Sequence, residues 1–165
     1  MKKKLLISFR VFIAVLFVFS ALAKIISLSF FDALVAELFF GKNWYQHTQG
    51  IVATQFLSRV LISVELLLGV AILQQKYLKR VILTALVATL LLFTAHLIYM
   101  GFERGFIGGN CGCFGDLVPM DNFESIIKNL VTLAMVIYVW KFTGPEEEEL
   151  RMRSWIIPVL VGRKK

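Results

Sequence analysis

The stretch VILTALVATLLLFTAHLIYM, residues 81–100, carries no residue charged at neutral pH other than through His96. As a helix it would extend about 30 Å, the thickness of a bilayer's hydrocarbon core. Three more apolar runs stand beside it, from about Leu5 to Ile26, from about Ile51 to Leu73 and from about Ser125 to Trp140. Lipid offers no partner for a bare peptide group, so each run must satisfy its own backbone, and the expected fold is an all-α membrane protein, a four-transmembrane-helix bundle. An apolar content of 58% and a mean hydropathy of +0.77 agree, being too high for a soluble domain of 165 residues. One domain over residues 1–141 is expected, followed by a charged cytoplasmic tail over 142–165.

The formal charge of +7 does not point to nucleic acid, because the basic residues gather at span ends instead of forming a patch interleaved with aromatics. Lys2, Lys3 and Lys4 precede the first span, and Lys76, Lys79 and Arg80 fill the turn between the second and third. Lys141, Arg151, Arg153, Arg163, Lys164 and Lys165 follow the fourth. The positive-inside rule makes these three regions, and both termini, cytoplasmic. The two other loops carry Lys42 and Arg104 and face outward. The first span, with Lys2 to Lys4 before it and Ala21-Leu22-Ala23 within it, also imitates a secretory signal; Arg10 interrupts the run, and it is read as a span. Arg10, Ala14, Phe17, Ala21 and Lys24 share one helical stripe, the face expected to pack inside the bundle. Phe31, Leu34, Val35 and Leu38 recur at helical spacing after that span, predicting a short interfacial helix on the outer surface. Trp44, Tyr45, Tyr99 and Trp140 suit the aromatic belt. Gly144-Pro145 ends the fourth helix, Glu146 to Glu149 open the tail, and Trp155 to Val161 is too short to cross.

Cys111 and Cys113, the two cysteines of the chain, lie in the outward loop Gly108-Gly109-Asn110-Cys111-Gly112-Cys113-Phe114-Gly115-Asp116. A bond between them would close a ring of three residues, worth about 1.6 kcal/mol by loop entropy before strain is subtracted. So weak a staple belongs with labile or catalytic disulfides, and if the host is a bacterium the outward side keeps thiols oxidised. The pair is therefore read as a thiol-disulfide device, with a ligand pair for a metal or cofactor and a plain packing role as alternatives. Zinc wants four nitrogen or sulfur ligands and the chain adds only His47 and His96, so no metal site is expected; copper(I) fits better than zinc. The loop glycines either loosen the loop or let another backbone approach.

Ionisable residues inside the spans form the second set. Counted from each span's outer end at the helical rise, Lys24 lies about 3 Å deep, Lys128 about 5 Å, His96 about 6 Å, Arg59 about 12 Å and Glu65 about 21 Å. Positive charge beneath the loop favours thiolate, so Lys24, Arg59, His96 and Lys128 are candidate activating or chamber-lining residues. The plainer reading has Lys24 and Lys128 snorkelling to the surface and Arg59 paired with Glu65. Glu65 is either neutral or paired with Arg59, Lys24 or Arg10, as a clamp or a proton relay.

These residues resemble the MauE and DoxX group of redox-associated bacterial membrane proteins. The likeness rests on Phe19-Ser20-Ala21-Leu22-Ala23-Lys24, Glu65 with Gly69, Cys111-Gly112-Cys113-Phe114-Gly115 and Lys128-Asn129, and covers roughly Leu5 to Trp140. It implies a four-helix membrane bundle tied to redox work: maturation of a disulfide-rich periplasmic enzyme subunit for MauE, thiosulfate-to-quinone electron transfer for DoxX. The architecture is also similar to DsbB and the vitamin K epoxide reductases, which pass electrons from thiols to a quinone through two cysteine pairs; this chain has one. The expectation is an inner-membrane thiol-disulfide exchange or electron-transfer component with a periplasmic thioredoxin-like or disulfide-containing partner, to which a quinone is a compatible cofactor. The alternative is a non-catalytic anchor or assembly subunit of a larger complex.

Overall fold

A computed structural model describes residues 2–40, 48–74, 78–108 and 110–143. Trp44, Tyr45, Lys42, His47, Lys76, the side chains of Lys79, Arg80 and Arg104, and the tail from Gly144 onward lie outside the described residues.

Among the described residues five α-helices appear in order: α1 Lys2–Ile26, α2 Leu28–Phe40, α3 Thr48–Ala71, α4 Leu83–Arg104 and α5 Asn122–Phe142. Four of them, α1, α3, α4 and α5, are long and apolar enough to cross a membrane, and together they form the expected four-helix bundle. A π-helical turn, Leu78–Ile82, leads into α4, and a short extended segment, Cys113–Asp116, lies between α4 and α5. Exposed apolar side chains such as Phe12, Phe56, Leu67, Leu92 and Val131 occur on every spanning helix, as a lipid solvent allows.

Small residues set how closely α1 and α3 approach. A Cβ on Gly69 would stand 2.9 Å from Phe17 Cβ and 3.1 Å from the Val18 backbone nitrogen, so only glycine admits this contact. On the facing stripe Ala14, Phe17, Ala21 and Lys24 are all buried, as its composition predicts. Arg10, at the far end of that stripe, caps α3: its guanidinium donates to the carbonyls of Ile72 (2.8 and 2.9 Å), Leu73 (3.0 Å) and Gln74 (2.9 Å). These carbonyls belong to the turn just past α3, and a cation at this end also complements the helix dipole.

The contacts fix an axial offset that counting along each span does not reveal. Arg10 meets residues 72–74, whereas Lys24 meets Glu65, so the N-terminal half of α3 runs on past the end of α1. There α2 takes over as its neighbour: α2 follows α1 after the single residue Ser27, and Phe31 and Val35 join Ala21 and Ile62 in one buried cluster. Phe31 and Val35 of the expected apolar stripe are thus buried, while the side chain of Leu38 lies outside the described residues. A second cluster, from Ile13, Phe17, Ile72, Leu86, Leu90 and Val136, fills the other end of the bundle.

Helix α5 begins earlier than hydropathy suggests, at Asn122, because Asp121 caps it. The Asp121 carboxylate accepts from the Glu124 N–H at 2.8 Å and the Glu124 carboxylate accepts from the Asp121 N–H at 3.3 Å, a reciprocal box. Asp121→Ala is expected to lower stability by about 1 kcal/mol, read by thermal unfolding in detergent.

Candidate functional site

The cysteine loop is held by its own polar groups. Asn110 supplies both ends of a brace: its Oδ1 accepts from the Gly112 N–H at 2.9 Å and its Nδ2 donates to the Gly115 carbonyl at 3.0 Å. The Gly115 N–H donates to the Gly112 carbonyl at 3.0 Å, closing a turn, and the Cys111 N–H donates to the Met120 carbonyl at 2.8 Å. Gly112 adopts a φ of +69°, a left-handed conformation glycine enters freely, and a Cβ there would fall 2.1 Å from Leu34 Cδ1. The glycines therefore serve close approach here: Leu34 of α2 covers the turn from one side and α1 supports it from the other.

Beneath the loop lies a cavity of about 80 Å³ between the two apolar clusters, lined by both cysteines, Ser20, Lys24, Glu65, His96, Lys128 and Asn129 among apolar side chains. Lys24, 4% exposed, donates to both carboxylate oxygens of Glu65 at 2.7 and 3.0 Å and to Ser20 Oγ at 2.8 Å. Ser20 Oγ stands 2.7 Å from Glu65 Oε1 and 2.7 Å from the Cys113 carbonyl oxygen, so its one proton bridges the ion pair and the loop. Of the partners the sequence left open for Glu65, this geometry selects Lys24. Counting from separate span ends set those two residues far apart; the offset of α1 and α3 brings them together.

Arg59 is elsewhere. It pairs with Asp32 on α2 and does not line the cavity, which corrects its expected place beneath the cysteines. The reason is again the offset, which puts position 59 beside α2 instead of α1. Lys128 does reach the loop, its Nζ 4.3 Å from the centre of the Phe114 ring, and Phe114 leans in turn on Phe19 at 5.5 Å. His96 faces the cavity from α4.

Both cysteines are free thiols. Cys111 Sγ lies 2.8 Å from Ser125 Oγ and accepts from the Cys113 N–H at 3.2 Å. The two sulfurs are set unequally. Cys113 is lowered to about 6, first by the hydrogen bond from Cys111 and then by Lys128, Ser125 and Lys24, against the upward push of burial. Cys111 is raised, first by the neighbouring Cys113 side chain and then by burial. The arrangement can hold one thiolate, at Cys113, with a thiol at hand to resolve a mixed disulfide. Among the described residues no three His, Cys, Asp or Glu side chains gather as a metal site.

Sequence reasoning missed Ser20, Ser125 and Asn110 as parts of this site. Ser125 occupies the buried face of α5 with Asn129 and Thr132, at spacings of four and three, and that polar stripe in an apolar span was the available signal.

A family model described as methylamine utilisation protein MauE matches residues 2–142. Among curated proteins, Protein TlpB of Flavobacterium psychrophilum is 36% identical over 131 residues, which is 79% of this chain and 35% of the relative. The chain thus spans about a third of the length of that relative. No solved structure gives a significant match.

Proposed function

The chain belongs to the MauE family, and from that premise we propose that this multi-pass membrane protein is a thiol-disulfide exchange component of the bacterial inner membrane, with its cysteine loop on the periplasmic side. The observation that carries the reading is the pairing of Cys113, lowered to about 6 beside Lys128, with Cys111, whose sulfur accepts from the Cys113 N–H at 3.2 Å. A structural pair would need neither the cation nor the cavity.

In the proposed cycle the Cys113 thiolate attacks one sulfur of a partner disulfide, forming a mixed disulfide while the other partner sulfur leaves as thiolate and takes a proton. Cys111, losing its proton, then attacks Cys113 sulfur. The Cys111–Cys113 disulfide forms and the first partner sulfur leaves, so the partner gains two electrons and the pair loses two. Run backwards, the same steps oxidise a partner dithiol. The partner that fits is a periplasmic thioredoxin-like or disulfide-containing protein. Exchange should rise with pH through the Cys113 midpoint near 6 and level off above it, falling about tenfold per pH unit below, because only the thiolate attacks. The check is the rate of exchange with a small aromatic disulfide.

The deciding experiment labels the cysteines in intact cells with a membrane-impermeant maleimide, before and after reductant. Labelling from outside that increases on reduction supports the proposal. Labelling reached only from the cytosol, or unchanged by reductant, sinks it and leaves the anchoring role.

A further inference from the structure

The Lys24–Glu65 pair is unusual material for a clamp. Burying two charges costs several kcal/mol each, and well-packed apolar residues of similar volume often hold helices as well or better. Its position is more telling than its strength. The groups facing the cysteine pair are Lys24 from α1, Glu65 from α3, His96 from α4 and Lys128 from α5, while α2 contributes apolar Phe31, Leu34 and Val35. With both carboxylate oxygens of Glu65 on Lys24, the fixed charges leave a surplus of one cation, and that cation stands over Phe114 next to Cys113 in sequence.

We propose that Glu65 is a positioning residue for the cysteine pair, cancelling the charge of Lys24 so that Lys128 alone is matched by a single thiolate, while Ser20 ties this ion pair to the Cys113 carbonyl. The proposal rests on the thiol-disulfide reading above and assigns that site its electrostatic setting. Without Glu65 the cavity would hold two unmatched cations, and the thiolate would form at lower pH, becoming a weaker nucleophile and a better leaving group.

The test uses the full-length chain, reduced and reconstituted in lipid nanodiscs, and follows the initial rate of alkylation by iodoacetamide against pH. Glu65→Gln is expected to move the midpoint down by about one pH unit, and Lys24→Met to move it up, because a carboxylate is then unmatched. The double variant Lys24→Met with Glu65→Gln is expected to return the midpoint to the wild-type value, since one cation again faces one thiolate. A merely structural pair would give no such opposed shifts and no restoration. An unmoved midpoint in Glu65→Gln, or a double variant that stays shifted, overturns the proposal. Failure of both Glu65→Gln and the double variant to assemble also overturns it, by assigning the pair to folding. If the wild-type cysteines fail to interconvert between dithiol and disulfide, the thiol-disulfide reading itself falls, whatever the variants do.

Discussion

Cys111→Ser is expected to accumulate a mixed disulfide with a partner in cells, and Cys113→Ser to accumulate almost none. The asymmetry follows from the opposite shifts of the two thiols. In Cys111→Ser the serine hydroxyl still offers a donor at the place of the lost thiol, Lys128 still faces the loop, and Cys113 remains a thiolate at neutral pH. It attacks, but nothing resolves the adduct. In Cys113→Ser the remaining sulfur is Cys111, raised by burial and beside a neutral Ser125 hydroxyl. A thiol at its ordinary value is only a few per cent ionised at neutral pH, so the two variants should differ by about 30-fold in initial adduct formation. The measurement is a non-reducing gel after acid quench, with adduct identity from mass spectrometry. Adducts from Cys113→Ser alone would reverse the assignment of nucleophile. Silence from both would favour an anchoring subunit.

Hydropathy was enough for the bundle, because lipid penalises every unsatisfied peptide group and the four runs are long. It was also enough for the stripe from Arg10 to Lys24, since a helix brings such spacings to one face whatever surrounds it. What hydropathy lacked was the axial offset between helices. Whether Glu65 would meet Lys24, Arg59 or Arg10 depends on a slide of α3 along α1, and that slide is set by Gly69 against Phe17 and by Arg10 on the carbonyls of the turn that follows α3. Neither contact is periodic in the sequence. Arg59 was misplaced for the same reason, as its partner Asp32 sits on the continuation of α1 that begins after Ser27. The Asp121-x-x-Glu124 box is a start signal that the reading from hydropathy passed over, and it outranks the hydropathy profile in locating the first turn of α5. The serines escaped notice because hydroxyls in membrane helices commonly bond to a carbonyl four residues back, as Ser58 does to Thr54 at 2.8 Å, and hydropathy does not separate that use from a bond to a thiol.

Gly115→Ala should have the largest effect of any single-methyl change in the loop. Gly115 has a φ of +60°, where a side chain adds about 1–2 kcal/mol of strain. The added Cβ would also stand 1.8 Å from Ser27 Oγ and 2.8 Å from the Ala23 carbonyl oxygen. Ser27 cannot simply turn aside, because its hydroxyl donates to that Ala23 carbonyl at 2.8 Å and accepts from the Asp116 N–H at 3.0 Å. The carbonyl belongs to the α1 backbone and does not yield. The loop must therefore lift from α1, drawing the Cys113 carbonyl from Ser20 and the Cys113 sulfur from its cations. Two readouts should then move in opposite directions: labelling by an impermeant maleimide at alkaline pH quickens as the sulfurs emerge, while the pH midpoint of Cys113 climbs from about 6 toward that of an ordinary thiol and exchange at neutral pH slows about tenfold or more. Gly108→Ala is the control. Its φ of +85° imposes strain, but no atom lies within 4 Å of the new Cβ, so stability should fall while the midpoint holds. Equal midpoints for the two variants would mean that strain alone governs the loop, and that its close seating on α1 contributes nothing to thiol reactivity.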